Sequence, residues 1–208
     1  MLRDTWRFDG STWQRLCDGV GCFPARRSFT VLTKGSELSP ELLVFGGVDT
    51  SNLPALSLTN RFLRFTGAGW QPLATPTPAT LPTLLDGSPS FSQGKTAPAA
   101  RRLAWAAAGP GGQVLLGSGE SDLAGLADDD GFDVWRLVPR GSTTRWARVP
   151  VTTARPGRRI AGSAVFDPLR QETLVVGGIT GFTESPTPAI TYNTDPPVAY
   201  RSRGVSAS

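Results

Sequence analysis

The sequence predicts an all-β chain built from about three diverged copies of one four-stranded antiparallel unit. Three observations carry that prediction. First, 24 glycines and 18 prolines are spread along 208 residues, which breaks the chain too often for long helices but suits short strands joined by turns. Second, two kinds of segment recur in fixed alternation along the chain, the mark of a repeat architecture. Third, the recurring segments read as strands: continuous apolar runs suit burial on both faces, and the alternation of Trp6 and Phe8 with Arg7 and Asp9 suits a half-buried strand.

The first recurring segment runs from Asp4 to Leu16 and aligns without gaps on Arg61 to Leu73, sharing Arg, Phe, Gly, Trp, Gln and Leu. A third copy, Trp135-Arg136-Leu137 followed by Trp146-Ala147-Arg148-Val149, fits with a turn about four residues longer, which turns tolerate. The second segment is an Arg-Arg doublet followed by a hydrophobic strand that ends in two small residues. Its copies run from Arg26-Arg27 to Gly46-Gly47, from Arg101-Arg102 to Gly117-Ser118, and from Arg158-Arg159 to Gly177-Gly178. The small pairs end buried strands where a side chain would clash or positive φ is required. The Trp residues at 6, 13, 70, 135 and 146 keep the period and are expected to fill the space between neighbouring sheets; Trp105 falls outside it but lies in an apolar stretch.

On these residues the chain resembles the kelch repeat family, in which a hydrophobic strand ending in Gly-Gly precedes an aromatic strand and a Trp at roughly 50-residue spacing. Gly46-Gly47 with Trp70, and Gly117-Ser118 with Trp146, carry the resemblance; Ser118 departs from it, as do the insertions at 74–96 and 119–132. The resemblance implies a β-propeller of radially packed blades over residues 1–179, with units at 24–73 and 97–150. A third unit at 156–179 is expected to be completed by 4–16, with 180–208 a degenerate half-unit or a disordered tail. Three blades fall below the usual four to eight. The sequence therefore predicts an incomplete propeller: part of a longer one, or a chain that completes its ring by self-association.

Composition narrows function. Charged residues are 18% of the chain, Lys plus Arg number 21 against 17 Asp plus Glu, and the only lysines are Lys34 and Lys95. So mild and distributed an excess does not suit nucleic-acid binding, and no apolar run approaches the ~20 residues that a membrane-spanning helix needs. The chain has no His, which removes the usual base of nucleophilic catalysis. It also removes the copper ligands of galactose oxidase, an enzyme on the kelch-type propeller. No catalytic residue and no cofactor is expected, and a zinc site lacks half its usual ligands.

Cys17 and Cys22 flank the turn-forming Asp18-Gly19-Val20-Gly21, which can bring the sulfurs within bonding range. A loop disulfide and an extracellular or cell-envelope location are expected; two thiols in a cytoplasmic protein are the alternative. The densest carboxylate cluster is Asp128-Asp129-Asp130, with Asp122 nearby. It lacks the alternating spacing of a calcium loop and reads as a solvated loop, at most a weak ligand-binding element. The Arg doublets read either as an anion-binding ring or, preferably, as packed stems whose heads bond to carbonyls. Together these readings point to a non-enzymatic scaffold that binds a protein or a glycan through loops such as 48–60, 74–96 and 119–132. The alternative is a fragment of a secreted carbohydrate-active or oxidase-like enzyme whose catalytic residues lie elsewhere.

Overall fold

A computed structural model describes residues 3–19, 22–23, 26–36, 39–51, 57–73, 97–109, 113–121, 133–140, 143–149, 159–183, 189–192 and 198–201. Among the described residues every regular element is a strand, in small antiparallel sheets.

The chain opens with a hairpin of β1 (Thr5–Phe8) and β2 (Trp13–Cys17). Gly10 at φ 102° makes its turn, and the Asp9 carboxylate fastens it by accepting the Ser11 and Thr12 amides at 2.9 and 2.8 Å. Hydrogen bonds from Thr12 and then Ser11 hold the Asp9 carboxyl far below the usual range.

The first complete unit contains β3 (Arg26–Arg27), β4 (Thr30–Ser36), β5 (Ser39–Phe45), β6 (Val48–Asp49), β7 (Ser57–Leu58), β8 (Phe62–Phe65) and β9 (Trp70–Pro72). Its main sheet is an antiparallel meander in the order β4-β5-β8-β9, while β3, β6 and β7 form a small second sheet. The next unit repeats the meander with β10 (Trp105–Ala108), β11 (Val114–Gly117), β12 (Val134–Arg140) and β13 (Thr143–Arg148). In the last unit β14 (Ser163–Asp167) pairs with β15 (Glu172–Val176). A hairpin of β16 (Ile179–Thr183) and β17 (Ala189–Tyr192) follows, and β18 (Val198–Arg201) then returns to pair with β15. Among the described residues this sheet therefore holds β18 and not residues 4–16. The strand that takes the expected place comes from the segment after 180, and β1 pairs with β2 alone among the described residues.

The three sheets stand side by side in a propeller-like array, with β10 packed between β4 and β14. Strand periodicity sets what each face buries. In the middle sheet Val114, Leu116, Trp135, Leu137 and Trp146 pack against Leu43, Phe45 and Phe62 of the first unit. The alternate residues Trp105, Leu115 and Val134 pack against Val175 of the last. The middle blade is thus apolar on both faces. Trp146 meets Phe45 and Phe62 edge-on, with centroids 5.8 and 5.6 Å apart. An indole of roughly 200 Å² contributes about 5 kcal/mol of burial at such a junction.

Candidate functional site

In the second and third units the carbonyl of the leading Arg, Arg101 or Arg159, accepts a bond from the preceding unit, and in all three units the second residue after the leading Arg has left-handed backbone. These successors are Ser28, Leu103 and Ala161, at φ 55°, 53° and 57°. Two hydrogen bonds recur at each junction. Gly47 N–H donates to Arg101 C=O at 2.8 Å and Gly119 N–H to Arg159 C=O at 3.1 Å; Leu103 N–H donates to Ser28 C=O and Ala161 N–H to Leu103 C=O, both at 2.9 Å. Junctions one and two are therefore the same junction, built twice.

This equivalence corrects two sequence alignments. The small pair of the middle unit is Ser118-Gly119, at φ 54° and 89°, matching Gly46-Gly47 at 69° and 96° and Gly177-Gly178 at 68° and 95°. Gly117 is instead the last residue of β11, and a Cβ there would run into the Trp105 ring and lie 2.9 Å from the Asp133 carbonyl. Likewise the equivalent of Arg101 is Arg159, and the bridge between Arg102 and Glu120 is matched by that between Ile160 and Ile179. The third doublet is displaced by one residue.

The buried arginines tie the junctions from within. The Arg101 guanidinium grips both oxygens of Asp133 at 2.5 and 2.6 Å and donates to the Ser118 carbonyl at 2.8 Å. Trp135 Nε1 donates to the same carboxylate at 2.6 Å. Burial pushes the Asp133 carboxyl up, but the Arg101 charge and the bonds from Arg101 and Trp135 outweigh it and leave the group below its ordinary value. Arg159 donates to the Gly177 carbonyl at 2.9 Å, and Arg102 pairs with Glu120 at 2.5 Å. Heads bonded to carbonyls and carboxylates describe the packing reading of these arginines, not an anion-binding ring.

Where the inner strands converge lies a cavity of about 300 Å³, lined by Phe29 and Thr30, by Leu103 to Ala106 and by Ala161 to Ala164. All three units contribute to it. Its described lining has hydroxyls, an indole and backbone groups, but no carboxylate, amine or thiol. No group of three or more metal-ligating side chains occurs among the described residues, and no described helix is long and apolar enough to cross a membrane.

Among the described residues two apolar surfaces are open. On the first hairpin Trp6, Phe8 and Trp13 are 48%, 50% and 66% exposed. Phe8 and Trp13 stack at 4.9 Å, Arg15 lies over Trp6 at 5.8 Å, and Trp6 Nε1 donates to Asp4 at 2.7 Å. The expectation that all five periodic Trp residues are core therefore needs correction. Trp135 and Trp146 are buried and Trp70 is half-buried, but Trp6 and Trp13 face solvent because no described sheet covers that side of the hairpin. The other open surface is the far face of the last sheet, where Val165 and Val176 are 57% and 47% exposed.

Cys17 and Cys22 form a disulfide, with Cα atoms 5.6 Å apart, beside Thr5. It ties the end of β2 to the segment entering the first unit, where Trp70 Nε1 donates to Thr5 at 3.0 Å. Asp122, Asp128, Asp129 and Asp130 lie outside the described residues, as do most of the loops at 48–60, 74–96 and 119–132.

No protein-family model and no curated protein matches the chain. Among solved structures, that of YjhT aligns with 87% of this chain and 67% of its own, at a TM-score of 0.42 and 15% sequence identity.

Proposed function

We propose that the chain is a kelch-type β-propeller module that works as a non-enzymatic scaffold for binding another protein, outside the cell or in its envelope. The stacked aromatic face of Trp6, Phe8 and Trp13 carries this reading. Exposed indoles beside an arginine are the residue types that dominate protein interfaces, and contiguous exposed apolar surface marks interaction sites. The Cys17–Cys22 bond supports an oxidising compartment. Absence of His from the whole chain supports a role without chemistry. A glycan is the second reading, favoured by the flat Trp13 ring at 66% exposure, which suits stacking on a sugar.

A photo-crosslinker at position 13, with one at the exposed Leu169 as control, tests the site. Adducts with a protein from position 13 alone support the reading. Equal labelling from both positions, or adducts from neither, contradicts it. Quenching of tryptophan fluorescence by soluble oligosaccharides, lost in Trp13→Ala, would move the assignment to a glycan.

A further inference from the structure

Every junction inside the chain joins the onward face of one sheet to the rearward face of the next. At the first junction the onward face is Leu43, Phe45 and Phe62, and the rearward face is Trp135, Leu137 and Trp146. Strand register places the two open surfaces in the same scheme. Phe8 opposite Trp13 on the first hairpin repeats Leu137 opposite Trp146, and Trp6, two residues before Phe8, repeats Trp135. Trp6, Phe8 and Trp13 are thus a rearward face with no described sheet behind it. Leu174 and Val176 of β15 stand where Leu43 and Phe45 stand in β5, counting back from Gly177 and Gly46. With Val165 they form an onward face with no described sheet in front of it.

The last unit is also cut for a neighbour in its backbone. At Gly46 a Cβ would collide with the Arg101 carbonyl of the following unit; at Gly177, with the same φ, nothing lies within 4 Å. Gly178 N–H and Ala161 C=O, whose equivalents make the junction bonds at Gly47 and Leu103, have no hydrogen-bond partner among the described residues.

From these matched surfaces we infer that a second copy of this chain docks head to tail, seating its Trp6, Phe8 and Trp13 on Val165, Leu174 and Val176 of the first. The inference rests on the blade reading proposed above and names the partner for the aromatic face. Both surfaces are present on every copy, and each is the structural equivalent of a surface that already packs against the other kind inside the molecule. Trp13 takes the place of Trp146, against Val176 in the place of Phe45. Such an interface is heterologous, so copies add head to tail into a ring where the rotation closes and into an open chain where it does not.

Sedimentation of the 208-residue chain and two variants tests the inference. Trp13→Asp destroys one face and Val176→Asp the other, both at exposed positions; Val165→Asp replaces the second variant should circular dichroism show it misfolded. Wild type is expected to form dimers or larger species, and each variant alone to be monomeric. An equimolar mixture of the two should give a 1:1 dimer, because one intact junction can still form. A monomeric wild type, association that survives both substitutions, or a mixture that stays monomeric overturns the inference. A monomeric wild type would leave the onward face to a further blade of a longer polypeptide. Failure here stays distinct from failure of the binding reading, since position 13 could still crosslink to another protein.

Discussion

Asp133 gathers two bonds from Arg101 and one from Trp135 on a single buried carboxylate. Its partner Arg101 is almost fully buried, so Asp133→Asn leaves a cation without its counter-charge. Breaking a buried pair in this way costs about 3–5 kcal/mol, which urea denaturation will read directly. The pair also makes stability depend on pH. Because the folded-state value lies below 3.8, the unfolded chain takes up the proton first on acidification. The contribution is complete above 3.8 and is lost as the pH falls from there through the folded value. Asp133→Asn should flatten that part of the stability profile. The two glycines at equivalent turns provide a second comparison. Both have positive φ, so alanine at either strains the backbone by about 1–2 kcal/mol. Gly46→Ala must in addition displace the Arg101 carbonyl, whereas Gly177→Ala meets open space. The thermal midpoint should therefore fall further for Gly46→Ala. Equal losses would mean that the junction does not press on Gly46.

At the scale of elements, the recurring strands were legible because their apolar periodicity and turn residues are local signals. The alignment of Asp4–Leu16 with Arg61–Leu73 corresponds to two hairpins of the same plan, β1-β2 and β8-β9. What escaped the sequence was set by partners outside the segment. Gly117-Ser118-Gly119 contains two small pairs, and the choice between them depends on Trp105, which needs Gly117 inside the strand. Val198–Arg201 forms the third strand of its sheet although it has no Trp to mark it. Whether Trp6 and Trp13 are covered depends on a neighbouring sheet, about which their own segment says nothing. The disulfide is an element-level staple that closes a loop of few residues. On the chain-entropy account a loop that short is worth about 2 kcal/mol. Reduction should lower the urea midpoint accordingly, and an unchanged midpoint would show the hairpin held by Trp70 and Thr5 alone.

Across the whole molecule, stability follows from nearest-neighbour contacts between blades, as in other repeat arrays. The middle blade has a sheet packed on each face, whereas the first hairpin and the last sheet each keep an exposed apolar face, so disruption at the centre should propagate further than disruption at either open face. Trp135→Ala removes a buried ring from the first junction and is expected to cost about 3–5 kcal/mol. Trp13→Ala, on the solvent side, should leave the melting of a single copy almost unchanged. Similar losses from both would contradict the division between covered and open faces.

Amide hydrogen exchange, measured on the Trp13→Asp chain so that copies stay apart, is the most direct test of a junction built twice and left ready for a third. The amides of Gly47, Leu103, Gly119 and Ala161 should be protected, while that of Gly178 exchanges at the rate of an open turn. Fast exchange at the four junction amides, or protection of Gly178 equal to that of Gly47, would contradict the account.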